Sequence, residues 1–132
     1  MTSPQISGVI LMGHGSREPG TTAEIIALCD QLAALMPGVR VAHAFLNQEP
    51  KLDDAAAALA AAGCTRIRIM PLLVFIGRHM IDDVPAALDR LRALHAGVEF
   101  ALDPYLFRQP GFAGLLASAL ETAPAGSEAP PA

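Results

Sequence analysis

Short apolar segments alternate with longer segments of helical pattern along the chain, and this order limits the possible folds. The apolar segments cover residues 6–13, 38–45, 65–75 and 97–102. Their length, β-branched residues and flanking Gly and Pro residues predict four β-strands. Helical patterns cover residues 21–36, 51–62, 84–95 and 111–121. The resulting β-α-β-α-β-α-β-α order predicts an α/β fold: a four-stranded parallel sheet with helices on both faces.

The length of the chain favours a single domain. A chain of 132 residues can bury one core and leaves little room for a second. We therefore predict one α/β domain over residues 1–122. Residues 123–132 are rich in Pro, Ala and Gly, and we expect this tail to be disordered.

Charge and hydropathy exclude several classes of partner. The net charge is −4, whereas a nucleic-acid-binding domain needs a basic face. No signal peptide is visible, and no apolar stretch reaches the roughly 18–20 residues of a membrane span. We expect a cytoplasmic protein that binds neither nucleic acid nor membrane. Cys29 and Cys64 are isolated in the sequence and are interpreted as small buried hydrophobic residues.

The loops that follow the predicted strands contain most of the chemically useful side chains. In open α/β sheets, ligands bind outside the carboxyl ends of the strands. The polar residues that this rule places along one rim are His14, Ser16, Arg17, Asn47, Glu49, Arg78, His79 and Arg108. We expect them to surround a common ligand site.

Two histidines follow two different central strands. His14 lies between two glycines, and His79 lies in a second Gly-containing loop. A single histidine in a turn is more often an incidental polar residue, but two on one rim favour a shared pocket. Neutral imidazole is the commonest metal ligand near neutral pH. We therefore predict that His14 and His79 bind a divalent metal.

A carboxylate has two interpretations here. Glu49 is predicted as a third metal ligand or a base, yet a glutamate just before a helix also fits ordinary charge at a helix N-terminus.

Asp82 and Asp83, followed by Pro85, predict the first turn of a helix. A second role for an aspartate there is to accept the outer N–H of a histidine ligand.

Three arginines in three rim loops favour an acidic ligand. A guanidinium group binds a carboxylate through two parallel hydrogen bonds. We predict that Arg17, Arg78 and Arg108, with Ser16 in the first loop, bind a substrate that has several carboxylates.

The three rim motifs together resemble a known family. "GHGSR" after the first strand, "AFLNQEP" after the second and "PLLVFIGRHMIDDVP" after the third are similar to the small CbiX-type sirohydrochlorin chelatases, which are class II chelatases. The likeness covers roughly residues 6–121, and it implies a chelatase-like sheet of flavodoxin-like topology. It implies ATP-independent insertion of Co²⁺, Fe²⁺ or Ni²⁺ into sirohydrochlorin or a related tetrapyrrole, in cobalamin or siroheme biosynthesis, without an organic cofactor.

The resemblance also implies roles and an assembly. His14 and His79 correspond to the family's catalytic histidines, which hold the metal and accept protons. Short members form homodimers with the pocket between the subunits. One position departs from the pattern, because Asn47 stands where members usually have a glutamate. An amide does not accept a proton as a carboxylate does, so the base is either Glu49 or the histidines alone.

Other functions are compatible with parts of the pattern. A non-catalytic metal or tetrapyrrole carrier would use the same pocket as a chelatase. Phosphohistidine phosphatases have an arginine directly before the His-Gly pair, whereas this chain has Gly13 there, which disfavours that chemistry.

Overall fold

The computed structural model describes residues 6–73 and 77–122. Its strands are β1 (Ile6–Gly13), β2 (Val39–Phe45), β3 (Cys64–Pro71) and β4 (Glu99–Leu102). Its helices are α1 (Pro19–Leu35), α2 (Leu52–Ala61), α3 (Arg78–Leu94) and α4 (Phe112–Glu121), and a short 3-10 turn covers Leu106–Arg108. The strands pair in parallel in the order β2-β1-β3-β4. This confirms the predicted parallel sheet and its flavodoxin-like topology.

Helices cover both faces of the sheet, as the sequence predicts. Gly8 and Gly13 of β1 face opposite sides, because successive residues of a strand alternate between its faces. A Cβ atom at Gly8 would lie 3.1 Å from Leu59 of α2, and one at Gly13 would lie 2.8 Å from Ile25 of α1. Leu91 of α3 belongs to the same buried cluster as Leu59. Helices α2 and α3 therefore share one face, and α1 covers the other.

The buried cluster fixes the ends of the central strands beside one another. Ile10 of β1 and Ile69 of β3 are both 0% exposed, and burying a side chain of this size stabilises the fold by about 1.5–3 kcal/mol. Beyond the strand pairing, the Leu72 N–H donates to the Met12 carbonyl at 2.8 Å. The carboxyl ends of β1 and β3 thus present their loops at one edge of the sheet.

The third helix begins earlier than the sequence predicts. The prediction placed its start at residue 84, with Asp82 and Asp83 in the first turn, but α3 begins at Arg78 and contains Pro85. The two aspartates therefore lie in its second turn, and their assignment to the first turn was wrong. Proline removes only one N–H donor and crowds one carbonyl of the preceding turn. The buried contacts of α3 outweigh that local cost.

Two sequence predictions fall partly or wholly outside the described residues. Strand β3 ends at Pro71, whereas the predicted strand extended to residue 75; residues 72–73 lie outside the strand, and residues 74–76 are not described. The predicted tail, 123–132, is also outside the described residues. Within the described parts of the chain, the helices are too short or too polar to cross a bilayer.

Both cysteines are free and buried, which confirms their interpretation as small core residues. Burial, and secondarily the negative charge of Asp30, raise the pKa of the Cys29 thiol. Burial also raises the pKa of the Cys64 thiol, against an opposite effect of Arg40.

We expect these thiols to react slowly in the folded protein. A raised thiol pKa lowers the fraction of thiolate at pH 8, and the thiolate is the form that iodoacetamide attacks. In native buffer, mass spectrometry should show both thiols alkylated more slowly than free cysteine. In denaturant, both should be alkylated at the same rate as free cysteine. Native alkylation at the free-cysteine rate would contradict the burial.

Candidate active site

A cleft of about 720 Å³ opens at the carboxyl edge of the sheet, a volume typical of small-molecule sites. Its apolar lining comes from the strand ends, α2 and α3, and includes Met12, Phe45, Leu46, Leu52, Leu73 and Val84. Its polar lining consists of His14, Asn47, Lys51, Asp53, Asp83 and Arg90. A mostly apolar lining with a few polar groups is typical of a small-molecule site, in which the polar groups fix the orientation of the ligand.

The loop after β2 holds the loop after β1 through backbone hydrogen bonds. The Leu46 N–H donates to the Gly13 carbonyl, and the Asn47 N–H donates to the His14 carbonyl, each at 3.0 Å. The side chain of Gln48 adds a third link, because its Oε1 accepts the Ser16 N–H at 3.0 Å. His14 therefore stands on a loop that β2 holds in place.

The amide of Asn47 lies against the imidazole of His14. Its Nδ2 atom is 3.1 Å from Nδ1 and 3.4 Å from Nε2 of the ring. A hydrogen bond aligned with one lone pair leaves the other ring nitrogen much farther away. The nearly equal distances therefore place the amide over the ring face and not in line with the lone pair of either ring nitrogen.

Gly15 makes the close approach of the two loops possible. Its φ is +105°, and a Cβ atom there would lie 3.3 Å from Cγ of Gln48 and 3.4 Å from Cβ of Asn47. We expect Gly15→Ala to lower the free energy of unfolding by about 1–2 kcal/mol, because positive φ strains any residue with a Cβ. Urea denaturation measures this loss.

Gly20→Ala is the matched control for that substitution. Gly20 lies in the first turn of α1, and a Cβ atom there would meet nothing within 4 Å. Alanine is a better helix former than glycine by about 1 kcal/mol, so this variant should be as stable as the parent or more so. Equal losses in both variants would contradict the account of Gly15.

The structure places the second predicted histidine near the same cleft by its backbone. His79 lies in the first turn of α3, two residues after Gly77, and Gly77 lines the cleft together with His14. Arg78 is the first residue of the same helix. The described side chains do not include those of Arg78 and His79.

The other predicted site residues lie outside the cleft lining. Ser16 has a local role, since its hydroxyl accepts the Glu18 N–H at 3.1 Å. Arg17, Glu49 and Arg108 are exposed, and none of them lines the cleft. Among the described side chains, no three His, Cys, Asp or Glu residues form a group that could hold a metal.

Sequence reasoning missed the cations that do line the cleft. Lys51 precedes α2, and Arg90 lies in α3, where its guanidinium pairs with Asp53. Asp53 accepts two hydrogen bonds from Arg90, at 2.8 and 3.1 Å. These hydrogen bonds, and then the carboxylate charge, raise the pKa of Arg90. The topological rule would have found Lys51 if it had been extended to the first residues of each helix at the same edge.

A second cleft, of about 790 Å³, lies at the opposite edge. Its lining includes the first residues of the strands, such as Ser7 and Val39, together with Arg66 and Arg68. Both arginines are already paired with carboxylates, Arg66 with Glu99 and Arg68 with Asp103. Because ligands of open α/β sheets bind at the carboxyl ends, we assign the candidate active site to the first cleft.

Comparison with known proteins identifies the family. The CbiX family matches residues 8–123, which include the whole sheet except the first two residues of β1. The chain belongs to the CbiX family. This membership confirms the resemblance seen in the three rim motifs.

Related CbiX-type sequences are described as sirohydrochlorin cobaltochelatases. One from Methanosarcina acetivorans is 33% identical over 82 residues, which cover 61% of this chain and 63% of the relative. Another from Sulfolobus acidocaldarius is 33% identical over 81 residues, which cover 61% of this chain and 65% of the relative. The matched region thus spans less than two thirds of each relative.

Solved structures share the CbiX fold. A CbiX protein of cobalamin (vitamin B12) biosynthesis from Marinobacter aquaeolei superposes with a TM-score of 0.72 at 25% identity, covering 87% of this chain and 94% of that one. The sirohydrochlorin chelatase SirB from Bacillus subtilis subspecies spizizenii, in complex with cobalt, gives a TM-score of 0.73 at 21% identity. That match covers 87% of this chain and 50% of SirB.

Proposed function

We propose that this chain is a sirohydrochlorin metal chelatase, which inserts Co²⁺, Fe²⁺ or Ni²⁺ into sirohydrochlorin or a related tetrapyrrole without ATP, in cobalamin or siroheme biosynthesis. The observation that supports it most is the cleft that His14 lines together with Gly77, the residue just before the helix that contains His79. Family membership and the described activity of the related sequences support the same reaction.

The two imidazoles and the apolar lining of the cleft have different roles in the proposed reaction. The apolar lining supports the macrocycle plane, while His14 and His79 hold the metal and accept the pyrrole protons as the metal enters. Asn47 steadies the His14 ring from its face and takes no proton. Because Glu49 is outside the cleft lining, we assign the base role to the histidines. Contacts with substrate carboxylates beyond the cleft remain proposed for Ser16, Arg17, Arg78 and Arg108.

An absorbance assay tests the proposed reaction. Purified protein is mixed with sirohydrochlorin and Co²⁺, Fe²⁺ or Ni²⁺ in turn, and conversion of the macrocycle spectrum to that of the metal complex is followed against a protein-free control. At least one metal should be inserted much faster with protein. Tight binding of the metal or the macrocycle with no faster insertion would favour a non-catalytic carrier instead. Asn47 is compatible with such a carrier, because it stands where related chelatases usually have a glutamate.

We also propose that two copies of the chain form a homodimer. The apolar side chains of α4 are exposed, with Leu115 at 60%, Leu116 at 47% and Leu120 at 83%. Exposed apolar groups clustered on one helix are typical of a protein interface. A second copy that covers α4 would remove this surface from water.

A charge on the apolar side of α4 should therefore prevent dimerisation. We expect Leu116→Glu to give a monomer by light scattering after size exclusion, because a carboxylate is costly to bury. Ser118→Glu adds the same charge on the opposite side of the helix and should leave the dimer intact. A monomeric parent protein, or equal behaviour of the two variants, would contradict this interface.

A further inference from the structure

The charged side chains that line the cleft are not equally available to a ligand. Arg90 is engaged by the two carboxylate oxygens of Asp53, so its charge is largely balanced. Lys51 differs, because the ion pairs among the described residues all involve arginine. The ammonium group of Lys51 therefore has no carboxylate partner in the described parts of the chain.

Local hydrogen bonds hold Lys51 at the cleft. Its backbone N–H donates to the Asp54 carboxylate at 3.0 Å, which anchors the residue at the start of α2. Its Nζ atom donates to the Leu46 carbonyl at 3.2 Å, and Leu46 immediately precedes Asn47. This contact turns the ammonium group toward the same loop that steadies His14. A neutral carbonyl occupies only one of the three donors of an ammonium group.

We propose that Lys51 is a carboxylate-binding residue for the tetrapyrrole, at the α2 wall of the cleft. The proposal rests on the proposed chelatase function and adds a contact absent from the predicted arginine set. The macrocycle has an apolar plane and carboxylates on its periphery, and the apolar floor beside Lys51 suits such a molecule. With the ammonium already placed by the Leu46 carbonyl, little side-chain freedom is lost when a carboxylate binds.

Binding of metal-free sirohydrochlorin to three variants tests the proposal. Lys51→Gln removes the charge and keeps a polar group, whereas Lys51→Arg keeps the charge. Arg40→Gln is the matched control, because it removes one positive charge from an exposed position on β2 outside the cleft lining. The dissociation constant is measured by macrocycle absorbance at low and high salt, and insertion is measured separately under saturating substrate.

We expect Lys51→Gln to weaken binding about tenfold at low salt, in line with the loss of one charge-assisted hydrogen bond. High salt should narrow this difference. Lys51→Arg should restore most of the affinity, and Arg40→Gln should stay within twofold of the parent. At saturating substrate, the loss of insertion rate in Lys51→Gln should be smaller than its loss of affinity for the macrocycle.

Several outcomes would overturn the role of Lys51. An unchanged affinity for the macrocycle in Lys51→Gln would do so. Equal loss of affinity in Lys51→Gln and Lys51→Arg would also do so, because that pattern assigns the loss to loop geometry and not to charge. Equal weakening in Arg40→Gln would show a general effect of net charge. If the parent binds the macrocycle but inserts no metal, only the chelatase function fails, and the affinities still decide the role of Lys51. A parent that binds no sirohydrochlorin overturns both.

Discussion

Replacement of either His14 or His79 by alanine is expected to abolish metal insertion while the fold is retained. Each substitution removes a proposed metal ligand and proton acceptor, and loss of proton transfer alone costs about 10²- to 10⁴-fold in rate. His14 is exposed at the cleft, so its removal leaves no cavity in the core. Initial insertion rates and circular dichroism spectra of the same preparations measure the two parts of this expectation.

His95→Ala is the matched control for the histidine variants. His95 follows the last residue of α3, at the end of the helix opposite His79, and its ring lies beside Phe100 with centroids 6.0 Å apart. The His95→Ala variant should insert metal at the parental rate. Full activity in His14→Ala and His79→Ala would refute the assignment of these histidines, and an equal loss in His95→Ala would show that the loss is not specific to the cleft.

Ile69→Ala is expected to lower the free energy of unfolding by about 2–5 kcal/mol. Ile69 is 0% exposed on β3, where it pairs with Ile10 of β1 on one side and Leu102 of β4 on the other. Truncation loses buried apolar surface and leaves a cavity that the closely packed sheet fills only in part. Because a domain is stable by only about 5–15 kcal/mol, this loss is a large fraction of the total.

Two companion variants show whether the loss comes from the core. Ile69→Val removes one methylene group and should cost about 0.5–1.5 kcal/mol. Leu94→Ala removes an apolar side chain that is 65% exposed and should change stability by less than about 0.5 kcal/mol. Urea denaturation of all three variants ranks their losses in the free energy of unfolding. A loss in Ile69→Ala no larger than that in Leu94→Ala would contradict the central packing of β3.

The sheet could be predicted because each strand has a local signature. The apolar run "ISGVILMG" ends in a glycine, and strand β1 has the same bounds as the prediction, Ile6–Gly13. The topological rule then placed His14 and Asn47 at one edge without any long-range information. The structure brings these two residues into contact there.

The start of α3 could not be predicted from local sequence. Asp82, Asp83 and Pro85 have the pattern of a first helical turn, yet they lie inside a helix that begins at Arg78. The buried contacts of Leu88 and Leu91 with the sheet form only after the chain has folded. Local propensity alone therefore favoured a later start.

The cations of the cleft were missed for a related reason. Lys51 and Arg90 are far apart in sequence: Lys51 immediately precedes α2, and Arg90 lies within α3. Their common position at the cleft depends on how α2 and α3 pack against one face of the sheet, and no local spacing encodes that packing. The predicted arginines Arg17 and Arg108 lie in the segments that follow β1 and β4, but they are exposed outside the cleft lining.

The central claim is that His14 and His79 together hold one metal ion in the cleft. A crystal structure of the protein with Co²⁺, with anomalous difference density recorded at the cobalt edge, tests it most directly. We predict one strong peak within coordination distance, about 2.0–2.2 Å, of a ring nitrogen of each histidine. A cobalt peak bound to only one of the two imidazoles, or bound elsewhere on the protein, would contradict the account.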